Sequence, residues 1–137
     1  MELDTSDWAC ELHLFLSVDI AGSTKYKNSR PDSDEHPQYW KALFDLLYQE
    51  IEAGFRKEIR DKEKNDKLFS RPIVWKLLGD EIIFDSVIKT ENETVRFVSA
   101  FIKALRQLDL QIMKSYPVRL KGTGWTAGVP IRNAVFK

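Results

Sequence analysis

Leu12-His13-Leu14-Phe15-Leu16-Ser17-Val18-Asp19-Ile20 alternates without a break. On an extended chain, Leu12, Leu14, Leu16, Val18 and Ile20 fall on one face, and His13, Phe15, Ser17 and Asp19 on the other. Strand side chains alternate with a period of two, so this stretch predicts a strand with one covered face. The pattern stops at Ala21-Gly22-Ser23-Thr24, a small-residue run in which Ser23 or Thr24 can cap a short helix.

Downstream, Asn28 to Pro37 reads as a polar loop with two prolines. Trp40, Leu43, Phe44, Leu47, Ile51, Phe55 and Ile59 then recur at spacings of three and four, which predicts a long amphipathic helix. The almost wholly charged stretch Glu58 to Lys67 reads as its solvated end and a loop. From Pro72, two apolar runs, Ile73–Leu78 and Glu81–Val87, flank Gly79-Asp80, which predicts a hairpin. Thr94 to Met113 carries Val95, Val98, Phe101, Ile102, Leu105, Leu108 and Ile112 at helical spacing. Val118 to Ile131 reads as a last strand, interrupted by Gly122, Gly124 and Gly128.

The order is strand, helix, hairpin, helix, strand. It predicts an α+β fold: a ferredoxin-like βαββαβ sheet with helices on one face. Right-handed crossovers set the first strand beside the hairpin, so the end of that strand meets the hairpin turn. Asp19 and Asp80, roughly sixty residues apart in sequence, then become neighbours.

Composition narrows the function. The 137 residues read as a single domain, with 43% hydrophobic residues, enough for a packed core. Twenty-one basic residues balance twenty-one acidic ones, so net charge makes no case for a nucleic-acid partner. One cysteine, Cys10, excludes an intrachain disulfide and a zinc site built on several cysteines. It reads as a buried or half-buried thiol. His13 and His36 read as structural or solvated. Met1 to Cys10 holds Glu2, Asp4 and Asp7 and does not resemble a signal peptide. No apolar run is long enough for a transmembrane helix, and a cytoplasmic location is the expectation.

Two carboxylates at one sheet edge repel each other. A divalent cation resolves that conflict, and Mg²⁺ favours one or two carboxylates together with phosphate oxygens and water. The run from Ile20 to Thr24 leads into a helix whose first N–H groups suit an anion. Taken alone, each piece is ordinary: Asp19 is a strand-end residue, Gly79-Asp80 a turn, Ala21–Thr24 a capped turn. Their meeting on one topology is what points to metal-assisted phosphate chemistry.

Phe15-Leu-Ser-Val-Asp19-Ile20-Ala-Gly22-Ser-Thr24 resembles the first-strand signature of class III nucleotidyl cyclases. Lys76-Leu-Leu-Gly79-Asp80-Glu81, followed by Phe84, resembles the same family's hairpin motif. Gly124-Trp-Thr-Ala-Gly128 loosely resembles a later strand. The likeness runs from Phe15 to about Gly128. It implies that Asp19 and Asp80 bind two divalent cations, Mn²⁺ or Mg²⁺, with the Ile20 main-chain carbonyl as a further ligand. It implies that Ala21, Gly22, Ser23 and Thr24 hold the β and γ phosphates and that Lys76 reads the nucleobase. The family's reaction is in-line attack of the ribose 3′-hydroxyl on the α-phosphorus, releasing pyrophosphate. Its active form is a head-to-tail homodimer with shared sites. The family's second base contact and its Asn/Arg pair have no counterpart up to Lys137, so the C-terminal part of the domain is expected beyond it.

The chain also looks similar to bacterial pyrimidine cyclases of antiphage defence (Pycsar), which make cyclic UMP or cyclic CMP for a downstream effector. An adenylate cyclase, with Lys76 on the base, is the first alternative. A non-catalytic nucleotide- or RNA-binding ferredoxin-like domain, with Phe15 and Trp75 as stacking aromatics, is the second.

Overall fold

The computed structural model describes residues 8–23, 25, 39–62 and 72–132. The elements are β1 (Trp8–Ala21), α1 (Tyr39–Lys62), β2 (Ile73–Leu78), β3 (Glu81–Val87), α2 (Glu91–Met113) and β4 (Arg119–Arg132). The four strands form one antiparallel sheet in the order β2-β3-β1-β4. This is the predicted ferredoxin-like arrangement, with β1 between the hairpin and the last strand.

The helices pack together on one sheet face. Leu14, Leu16, Val18 and Ile20 point into that layer, against Leu43, Leu47, Ile51 and Phe55 of α1 and Phe97, Phe101 and Leu108 of α2. At its centre Phe55 meets Phe84 edge-on at 5.1 Å and Phe101 at 5.6 Å. That is the geometry aromatic quadrupoles favour. Each such ring, fully buried, contributes about 1.5–3 kcal/mol from removal of apolar surface.

Several details differ from the sequence reading. The other face of β1 is also largely covered: Phe15 and Ser17 are buried, and Phe15 is screened by Trp75 and Trp125 from neighbouring strands. Leu12 is exposed, although it shares the parity of the core residues. Cys10 is likewise exposed, not half-buried. Glu58 belongs to the charged stretch that reads as solvated, but it is buried, because α2 passes beside it and Lys103 approaches at 3.2 Å. Residues 63–71, which include the end of that charged stretch at Lys67, lie outside the described residues, as do His36 and the stretch from Asn28 to Pro37.

Helix α2 starts three residues earlier than its periodicity suggests. Thr90 is the N-cap and accepts the Glu93 N–H at 3.2 Å, while the Glu93 carboxylate accepts the Lys89 N–H at 3.2 Å. This reciprocal arrangement satisfies N–H groups that the first turn leaves open. At the other end Arg119 forks onto Asp109, whose carboxylate also accepts the Leu120 N–H at 2.9 Å. The start of β4 is thereby tied to α2.

The glycines do not interrupt β4. At Gly122 the missing side chain lets α2 lie against bare backbone, while Gly124 and Gly128 make room for Leu16 and Cys10 of β1. A Cβ at Gly122 would sit 2.6 Å from a Leu105 methyl and 3.2 Å from the Phe101 ring. Starting at this contact, a largely apolar groove of about 500 Å³ opens between α2 and β4, lined by Val98, Ile102, Leu105, Gly122 and Gly124.

Candidate catalytic site

Asp19 stands on the open face of β1, two residues before the strand ends at Ala21. It stands opposite Glu81 on one side and Lys121 on the other, so Lys121, Asp19 and Glu81 form a row across three strands. Asp80 lies in the two-residue β2–β3 turn, immediately before Glu81. The backbone joins the two segments: the Ile20 N–H donates to the Asp80 carbonyl at 3.3 Å. The predicted meeting of Asp19 and Asp80 is therefore present.

The turn is held from two more directions. The buried Ser23 hydroxyl donates to Asp80 Oδ2. The Tyr48 hydroxyl, reaching from α1, donates to the Gly79 carbonyl. Gly79 alone carries the left-handed conformation of the turn, at φ +58°. Gly22, at φ +88°, does the same where β1 ends. Glycine adopts these angles without the Cβ clash that penalises other residues.

The electrostatics match the crowding. Burial pushes the Asp19 carboxyl above its ordinary range, and the negative charge of Asp80 pushes it further. A hydrogen bond from the Ile20 backbone and the Lys121 charge oppose this. Burial also raises the Tyr48 phenol, with Asp80 and Asp45 adding to the shift. The site thus concentrates negative charge that its own cation only partly offsets.

That donor set suits a hard divalent cation, which takes carboxylate and carbonyl oxygens and keeps coordination positions for water or phosphate. Among the described residues no cluster of three or more His, Cys, Asp or Glu gathers for a metal. The oxygens on offer are those of Asp19 and Asp80, with main-chain carbonyls beside them. When bound, a divalent ion there would supply charge neutralisation for phosphate oxygens and acidify a coordinated hydroxyl.

The remaining predicted residues divide. Ala21 and Gly22 are exposed beside Asp19, and Ser23 is helical, as is Lys25. Ser23 does not cap with its hydroxyl, which is engaged by Asp80; only its backbone is left for an anion. Thr24 lies outside the described residues. Lys76 pairs with Ile83, the residue opposite Ser17, so it shares the open face with Asp19 one row away. It does not reach the carboxylates; its ammonium stands 4.4 Å from the Trp75 ring centroid. Tyr48 was not anticipated, because it sits on the flank of α1 and nothing in the helical period marks it. The apolar α2–β4 groove is on the other side of the sheet.

No family model and no curated protein matches the sequence. Solved structures do. The adenylyl cyclase CyaB from P. aeruginosa superposes with a TM-score of 0.57 at 16% identity. The fold is cyclase-like. The likeness covers 90% of this chain but 59% of the CyaB chain, so this chain spans less than two thirds of that structure. At that identity the comparison speaks to the fold; the residues of the site stand on their own geometry. Among the described residues, no helix is long and apolar enough to cross a membrane.

Proposed function

We propose that this chain is the catalytic domain of a nucleotidyl cyclase, converting a nucleoside triphosphate to a 3′,5′-cyclic nucleotide and pyrophosphate. The observation that carries the reading is the clasp between the end of β1 and the β2–β3 turn. It gathers Asp19 and Asp80 beside exposed small-residue backbone, at the edge of a cyclase-like sheet.

In this reading Asp19, Asp80 and the Ile20 carbonyl hold two divalent cations, Mg²⁺ or Mn²⁺. Ala21, Gly22, Ser23 and Thr24 present backbone N–H groups to the β and γ phosphates. Ser23 and Tyr48 keep the Asp80 turn in place, and the Lys121 charge favours the ionised form of Asp19. Lys76 donates to the nucleobase. The working form is a homodimer with shared sites. The preferred substrate is UTP, otherwise CTP, and the product serves as a second messenger to an effector in antiphage defence within the cytoplasm. This finer assignment is supported by the sequence resemblance to pyrimidine cyclases. An adenylate cyclase making cyclic AMP is the second reading, favoured by the solved neighbour's activity.

The test is incubation of the protein separately with ATP, GTP, CTP and UTP plus Mn²⁺, with products identified by mass spectrometry. Cyclic UMP or cyclic CMP upholds the first reading and cyclic AMP the second. Asp80→Ala is expected to abolish product while leaving the circular dichroism spectrum unchanged. Turnover by that variant at the wild-type rate would refute the site.

A further inference from the structure

Strand β2 does not alternate regularly. Val74 pairs with Phe84 and Lys76 with Ile83, the next residue back along β3, so Trp75 is an extra residue with no partner. This is a β-bulge, a device that re-aims side chains. Val74 packs on the core, whereas Lys76 lies on the open face. The bulge brings Trp75 to the open face as well, so two consecutive residues point the same way.

The Trp75 ring meets Phe15 at 5.0 Å, tilted by 51°. Across Phe15, Trp125 stacks at 5.4 Å and 18°. The two indoles are 46% and 39% exposed, while Phe15 is 8% exposed. Phe15 is thus a covered floor, and each indole keeps free surface. The Lys76 ammonium stands over Trp75, within cation–π range.

This aromatic row shares its face with Asp19. Phe15 precedes Asp19 by four residues, about 13 Å of strand, and the row of Ser17 and Lys76 lies between them. Aromatic walls with the Lys76 ammonium beside them fit a flat ring that carries hydrogen-bond acceptors. They fit a plain apolar contact less well. Lys76 and the Glu11–His13–Asp85 cluster, with contacts of 2.8 and 2.6 Å, occupy the same face, and charged groups are depleted at the centres of protein interfaces.

We propose that Phe15, Trp75 and Trp125 form a stacking platform for a nucleobase, with Trp75 holding Lys76 at its edge. The assignment of that base to the substrate rests on the cyclase reading above. The platform adds recognition elements that the resemblance does not supply: Phe15 and Lys76 belong to the family pattern, the two indoles do not.

The test compares wild type, Trp75→Leu, Trp75→Phe and Trp125→Leu, each verified as folded by circular dichroism. Calorimetry measures binding of UTP, ATP and inorganic tripolyphosphate in Mn²⁺. Loss of one base-stacking ring is expected to weaken nucleotide binding about tenfold. Tripolyphosphate binding should not change, and Trp75→Phe should retain most of the affinity. Unchanged nucleotide affinity in both leucine variants overturns the platform, and so does an equal loss for tripolyphosphate. Sedimentation showing that Trp75→Leu dissociates a wild-type dimer, with affinity restored at higher protein concentration, assigns the face to a second copy instead. Tighter binding of an oligouridylate than of UTP assigns it to RNA. Phosphate-free uridine and adenosine separate this proposal from the cyclase reading. Quenching of tryptophan fluorescence in wild type but not in Trp75→Leu upholds the platform even if no triphosphate is cyclised.

Discussion

Gly79→Ala isolates what the β2–β3 turn demands of its backbone. Gly79 sits at φ +58°, and a Cβ built there meets nothing within 4 Å. Steric clash with the rest of the protein is therefore absent, and the penalty is the local one of placing an L-residue in the left-handed region. That penalty is about 1–2 kcal/mol. Slight relief comes from the smaller entropy of an unfolded alanine chain, but at positive φ the strain dominates. The net loss expected is about 1 kcal/mol, or roughly fivefold in the folding constant. For a domain of this size it corresponds to a drop of about 3 °C in melting temperature. Gly79→Asn should lose less than half as much, because asparagine tolerates the left-handed region. Urea unfolding followed by circular dichroism reads both variants. The midpoint should move and the slope should stay constant. Because the same turn carries Asp80 and receives the Tyr48 hydroxyl, the alanine variant should also need more Mn²⁺ for half-maximal activity. Equal midpoints for wild type and Gly79→Ala, or equal losses for alanine and asparagine, would refute the account.

Three further outcomes follow from the electrostatics. Asp19 has a carboxyl pushed up on folding, so its contribution is most favourable below the ordinary carboxylate pKa of 3.8 and is lost as pH rises through the higher folded value. Asp19→Asn should therefore melt above wild type near pH 8 while being inactive, with the advantage gone below about pH 4; a lower melting temperature at pH 8 would contradict this. His13 is raised above 6.5, chiefly by its hydrogen bond to Asp85, so its stabilisation is present below pH 6.5 and fades as pH rises through the folded value. Calorimetric melts of His13→Gln should lack that slope. Mn²⁺ should raise the melting temperature of wild type, by an amount equivalent to about 2.7 kcal/mol at a hundred times its dissociation constant, and should leave Asp80→Ala unmoved.

The sheet and helices were legible because their burial is one-sided. Alternation over residues 12–20 and helical spacing from Trp40 to Ile59 each demand one apolar face, and the chain order then leaves few topologies. The meeting of Asp19 with Asp80 follows from topology alone, and for that reason it was readable from two distant motifs. Features made by contact between elements were not. Glu58 looks solvated in a charged run, yet it is covered by α2. Tyr48 reaches the turn from a helix flank that has no pattern. The bulge at Trp75 cannot be seen from β2 alone, since it exists only in the pairing with β3. The glycines of β4 read as breaks in a strand, because a sequence does not display the α2 and β1 side chains that take up their space. Parity puts Phe15 and Ser17 on the uncovered face; both are buried, Phe15 beneath Trp75 and Trp125 of the neighbouring strands.

The bulge also bears on how the chain tolerates changes in length. Val74 and Lys76 already face successive residues of β3, as they would if nothing stood between them. Deleting Trp75 would leave both pairings as they are, and every other residue of β2 would keep its side of the sheet. Elsewhere in a strand, loss of one residue inverts all that lies beyond it. Here it removes one ring, with its contacts to Phe15 and Lys76, and leaves the register untouched. Position 75 is thus a place where this face can gain or lose a side chain through insertion or deletion, independently of the register that holds Lys76 and the turn at Asp80.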